Sequence, residues 1–251
     1  MTERDRELLV FAAEHRLVLP QQIQTMLAFP SARAASARLH ALSSAGLLAK
    51  EAVFRGQPPC FRITRRGLVI VGCALPPPRL DLRNYQHDVG AAWLWLAARG
   101  GAFGQVREVL SERRLRSHDA SREGRADPFG VRLGGVGPGG RERLHYPDLL
   151  LTTSEGLRIA VELELSSKGR GRREGILAGY GADHRIDAVL YLADKPQVAR
   201  AIRESATALG LGALVHVQRV RWPTEEKAAG ASMAATRAHT SHGRAEREAV
   251  R

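Results

Sequence analysis

Through the first 75 residues, apolar side chains recur at three- and four-residue intervals and are interrupted by capping residues. Thr2 can cap a helix over about 3–15, whose apolar face is Leu8, Leu9, Phe11 and Ala12. Pro20 opens a second helix, Gln21–Leu27, because proline suits a first helical position. Ser31 caps a third, about 32–45, and Gly46 ends it. Ala32, Ala35, Leu39 and Leu42 share the inner face of that helix. Arg33, Ser36, His40 and Ser43 lie opposite, with Arg38 on the flank.

Two strand-like runs follow, Leu47–Val53 and Cys60–Thr64, around the turn Arg55-Gly56-Gln57-Pro58-Pro59, and Arg65–Gly72 reads as a closing helix. Three helices and then a hairpin is the order of a winged helix-turn-helix. In such a unit the 32–45 helix would enter a major groove. Arg33, Ser36, Arg38 and His40 would approach bases or phosphates there, and Arg55 at the wing tip would reach the backbone or minor groove.

Pro76-Pro77-Pro78 cannot continue a helix, so residues 76–79 predict a stiff linker between a domain at 1–75 and another at 80–221. The second begins with an amphipathic helix, Leu80–Arg99, ended by Gly100-Gly101. Residues 117–145, rich in Gly, Arg and Asp, read as a mobile loop. Asp148–Thr153 and Leu157–Leu165 predict antiparallel strands joined by Ser154-Glu155-Gly156. A helix around Arg172–Asp183, a strand Ile186–Ala193, a helix from Pro196 to about Leu209 and a strand Ala213–Arg219 complete an α/β domain with a mixed sheet. The tail, 222–251, has almost no large apolar residue and reads as disordered.

Composition adds a partner. The 251 residues carry a formal net charge of +12, and of 38 basic residues only Lys50, Lys168, Lys195 and Lys227 are lysines. Such a surplus points to a polyanion, nucleic acid ahead of a membrane surface. The longest apolar runs, such as Ala91–Ala98, are too short to span a bilayer, and the mixed-charge start is unlike a secretory signal. With two cysteines there is no disulfide framework or cysteine-based zinc site, and the expected compartment is the cytoplasm.

Acidic residues inside apolar strands carry the candidate chemistry. Asp148 starts one strand, and Glu162 and Glu164, two apart on its partner, share a face. Three carboxylates at one sheet edge repel unless a cation or proton neutralises them, and an oxygen-only set suits Mg²⁺ or Mn²⁺. The alternative is an ordinary solvent-facing strand. Next, Lys168-Gly169-Arg170-Gly171-Arg172-Arg173 precedes a helix, where backbone N–H groups with Arg170, Arg172 and Arg173 would hold phosphates, or form a solvated basic turn. His87, on a helix with Tyr85, Trp93 and Trp95, reads as a packed or capping residue rather than a base.

Pro147-Asp148, a turn, and Glu162-x-Glu164 in an apolar strand followed by a helix resemble the PD-(D/E)xK nuclease core. Together with the N-terminal helical unit, the chain resembles the replication-relaxation family of actinobacterial plasmids and mobile elements. Asp5-Arg6-Glu7-Leu8-Leu9, His87-Asp88, Ser111-Glu112-Arg113-Arg114-Leu115-Arg116 and the Val161–Ser166 and Asp187–Leu192 strands fit it, over about residues 3–220.

The resemblance implies a restriction-endonuclease-like fold for 80–221 and a DNA-binding role in plasmid replication or relaxation. Asp148 and Glu162 would be ligands of Mg²⁺ or Mn²⁺, and Glu112 a further acid. The family's nuclease pattern puts lysine two residues after the second acid, where this chain has Glu164; Lys168, four residues further on, would have to reach in from the following helix to take that catalytic place. The expected activity is therefore weak or absent cleavage, with the C-terminal domain supplying a DNA surface, a metal site or a homodimer contact. The alternatives are a Mg²⁺-dependent endonuclease or nickase and a winged-helix transcription regulator.

Overall fold

The computed structural model describes residues 1–121, 127–137, 140 and 142–220. The expected tail at 222–251 lies outside them. The chain starts with a capping box. Thr2 Oγ1 accepts from the Asp5 N–H and the Asp5 carboxylate accepts from the Thr2 N–H, which starts α1, Glu3–Glu14. Pro20 begins α2, Pro20–Leu27, and Ser31 caps α3, Ala32–Ser44. Leu8, Leu9, Phe11, Ile23, Ala35 and Leu39 are fully or almost fully buried together, so the three apolar faces meet in one core.

Strands β1, Leu48–Glu51, and β2, Cys60–Ile63, form an antiparallel hairpin, followed by the short helix α4, Arg65–Ile70. Gly67 is what lets α4 lie so close. A Cβ there would stand 2.4 Å from the Leu47 carbonyl oxygen.

The expected helix from Leu80 begins later. Asp81 accepts from the Arg83 N–H and the Asn84 side chain, which favours a 3₁₀ turn, Leu82–Asn84, before α5, Tyr85–Arg99. On α5, Ala92 joins the N-terminal core and Trp95 and Leu96 pack against it. Proline has no N–H, but the carbonyls of the proline run are bound from both sides, Pro76 by Arg113 and Pro78 by Arg62. Residues Met1–Val220 accordingly form one compact unit.

The main sheet has five strands in the order β3, Val106–Ser111; β6, Leu149–Thr153; β7, Arg158–Glu164; β8, Ala188–Ala193; and β9, Val215–Arg219. The first three are antiparallel neighbours, and β7, β8 and β9 run parallel. Parallel neighbours need crossovers, supplied by α7, Arg170–Ala182, and α8, Pro196–Ala208. The chain is therefore mixed α/β, as its pattern of elements predicts. Among the described helices none is long and apolar enough to cross a membrane.

The 117–145 loop expectation is corrected for the residues described. Helix α6, Glu112–Ala120, runs into it, and β4, Val131–Val136, pairs with β5, Glu142–His145. Residues 122–126, 138–139 and 141 lie outside the described set. Two features order the described part of this stretch. The Asp119 carboxylate accepts from the Phe129 and Gly130 N–H groups, and fully buried Val131 joins the sheet core. Gly179 on α7 leaves room for the hairpin, since a Cβ would come within 2.9 Å of the Arg132 carbonyl.

Candidate functional site

The register places Leu149 opposite Val161, so Asp148, just before β6, arrives beside the C-terminal half of β7. Its Oδ2 accepts from the Leu163 N–H at 2.7 Å. Glu162 and Glu164 share a face, as their spacing predicts, but it is not a solvated one. Asp148, Glu162 and Glu164 are 9%, 3% and 6% exposed. Burial of three carboxylates demands partners.

Each has one. His87 Nε2 lies 3.2 Å from Asp148 Oδ2. Glu162 Oε1 meets His145 Nε2 at 2.6 Å and accepts from the Tyr180 hydroxyl. Lys168, in the connection between β7 and α7, pairs its ammonium with Glu164. The turn into α7 folds Lys168 back over the strand, so that a cation stands beside Glu164.

The electrostatics follow from burial set against charge. Burial pushes the Glu162 carboxyl up, but His145, Lys168 and the Tyr180 hydroxyl outweigh it, and the net displacement is downward. Glu164 moves upward, because burial and the charges of Glu162 and Asp148 exceed the relief from Lys168. For Lys168, burial disfavours the ammonium, yet Glu162, Glu164 and Asp148 together displace it upward. Burial likewise disfavours a charged His87, but Asp148 and Asp88 outweigh it and lift its pKa to about 10. His87 thus packs on α5 and also contacts Asp148.

Glu112, the candidate further acid, is engaged elsewhere. Its carboxylate accepts from Arg16 at 3.2 Å and from Arg116 at 2.8 Å. Arg16 also approaches buried Asp88 at 3.5 Å, and Arg113 donates to the Ala13 carbonyl. The His87-Asp88 and Ser111–Arg116 motifs thus bind the end of α1 to the α/β core.

Among the described residues, no group of three or more His, Cys, Asp and Glu side chains is arranged to hold a metal ion. An all-protein cage is absent there. Mg²⁺, however, commonly keeps several waters and takes one or two carboxylates together with substrate phosphates, and Asp148 with Glu162 fits that donor set.

The candidate DNA contacts divide. Arg33 and Arg55 are exposed, and Ser36 is half-buried. Arg38 pairs with Asp5 through two nitrogens, and Asp5 is only 1% exposed. His40 stacks edge-on against Phe61. Arg170 pairs with Glu174 and Arg172 is exposed, whereas Arg173 donates to the Lys168 carbonyl and to Ser205.

Sequence reasoning did not single out His145 or Tyr180. Tyr180 sits in register with Ile176 and Leu177 and reads as core. His145 is three residues before Asp148, and that proximity was the available signal. No protein-family model, curated protein or solved structure matches the chain.

Proposed function

We propose that this chain binds DNA and carries a divalent-metal-dependent phosphodiester-cleaving site, an endonuclease or nickase acting in replication or relaxation of a plasmid or mobile element. The carrying observation is Lys168. Its ammonium pairs with Glu164 and is under the charge of Glu162 and Asp148. This supports the cleaving alternative over the weakly active or inactive one suggested by Glu164 alone. The strand order, with an antiparallel meander β3-β6-β7 followed by the α7 crossover to parallel β8, is compatible with a nuclease-like core.

In this reading Asp148 and Glu162 hold Mg²⁺ or Mn²⁺, which when bound supplies an activated water and neutralises phosphate charge. His87, with the Leu163 N–H, fixes one oxygen of Asp148, and His145 with Tyr180 fixes one of Glu162. Lys168 stabilises negative charge that develops on the phosphate. The core formed by α1, α2, α3 and the β1–β2 hairpin serves as a winged helix, with Arg33 on the groove-facing side and Arg55 at the wing.

Two measurements test the reading. The full chain with Mn²⁺ or Mg²⁺ is expected to nick supercoiled plasmid, and to do nothing when EDTA is present. A chain that binds DNA but never cuts returns the role to binding alone. Arg33→Ala and Arg55→Ala are each expected to flatten the salt dependence of DNA binding by about one unit of slope per lost phosphate contact. Unchanged slopes in both would remove this N-terminal unit as the reading head.

A further inference from the structure

We infer that Arg173 is a positioning residue that delivers Lys168 to the acidic site, rather than a contact to a nucleic-acid backbone. The inference deepens the cleaving reading, from which it takes its functional meaning, but its geometry stands by itself.

Lys168 follows Glu164 by four residues, and the intervening chain is neither strand nor helix. Nothing regular in the backbone holds the lysine over the strand it has just left. A flexible four-carbon side chain on an unsupported turn would spread over many rotamers, which costs a catalytic or charge-balancing group its placement. Arg173, in the first turn of α7, supplies the support. Its Nη1 donates to the Lys168 carbonyl at 3.1 Å, and its Nε donates to Ser205 Oγ at 2.9 Å. Ser205, on α8, is 4% exposed, so the anchor is a fixed point of the core. The Arg173 N–H also bonds to the Gly169 carbonyl, closing the helix start on the same turn. Guanidinium geometry matters, because two nitrogens in one plane bind two partners at once, which an ammonium on a shorter reach does poorly.

The neighbours make the contrast. Arg170 and Arg172 on the same turn are exposed, and Arg170 is occupied by Glu174 in solvent. Only Arg173 of the three reaches both the turn and α8.

Lysines are few, so the test reads each one. Full-length protein, with no metal and no DNA, is treated with limiting acetic anhydride, and acetylation is followed residue by residue by mass spectrometry. Lys50 and Lys195 are exposed and serve as internal references. In the natural protein Lys168 is expected to react severalfold more slowly than either. Arg173→Ala should raise the Lys168 rate towards that of Lys195 and leave Lys50 unchanged, while Arg173→Lys should restore only part of the protection. Ser205→Ala, a mild change that keeps Arg173, should raise Lys168 reactivity in the same direction, and it decides the matter if Arg173→Ala does not fold. Lys168 as protected in folded Arg173→Ala as in the natural protein overturns the inference. So does a Lys168 that is already as reactive as Lys195 before any substitution. Because the readout involves no cleavage, a chain that never cuts DNA leaves this result standing, and a failure here leaves the nicking assay to be judged separately.

Discussion

Replacing Lys168 with alanine is expected to lower the rate of metal-dependent plasmid nicking by about 10²–10³-fold, the usual cost of removing one donor aimed at developing charge. DNA affinity should fall far less, because one ammonium among the chain's 38 basic residues contributes little to the total field. Asp148→Asn and Glu162→Gln should reduce nicking at least as much, and Asp148→Asn should also abolish any rise in thermal midpoint caused by Mn²⁺. Glu164→Lys, which would restore lysine at the position two after Glu162, should not increase the rate. It removes the carboxylate that holds Lys168 and sets two ammonium groups against each other. A Lys168→Ala protein that nicks at the natural rate would show that the ammonium only balances buried charge. An increase on Glu164→Lys would show that Lys168 does not act as the missing cation.

The second large effect is structural. Arg38→Ala should destabilise the protein by about 1–2 kcal/mol at pH 7, because it strips a buried carboxylate of its bidentate partner. The figure follows from Asp5, which Arg38 and the Thr2 capping interactions hold at a pKa of about 2 despite burial. It is discounted because the Arg38 side chain is 39% exposed and screened by solvent. The sign sets the pH window. A carboxylate whose folded pKa is depressed stabilises fully above its ordinary value of 3.8, and that contribution is lost as the pH falls towards 2. The difference between natural and Arg38→Ala proteins in urea denaturation should therefore be largest at neutral pH. At pH 3 it should be about half as large. A difference that is flat from pH 7 to pH 3 would show that Arg38 acts through packing alone. Loss of DNA binding in Arg38→Ala is consequently no evidence for a DNA contact at that position.

Local signals made much of this molecule legible in its sequence. Thr2, Pro20, Ser31 and Gly46 mark helix ends because backbone N–H and C=O groups at those ends need particular chemistry, whatever lies elsewhere in the chain. Alternation along Arg158–Glu164 set Glu162 and Glu164 on one face because side chains in a strand repeat every two residues. Their burial was not legible, since it depends on what covers that face. Strand β3, with a mixed pattern, and the β4–β5 hairpin, built from a glycine-rich run, gave weak local signals and form through pairing and packing with distant segments. The same holds for the partners of the carboxylates. His87 reaches Asp148 across 61 residues, Tyr180 reaches Glu162 across 18, and Arg16 reaches Glu112 across 96. Residue type and spacing could nominate the acids. Only the tertiary structure decided which partners answer them, because pairing in a buried site is set by proximity in space and not along the chain.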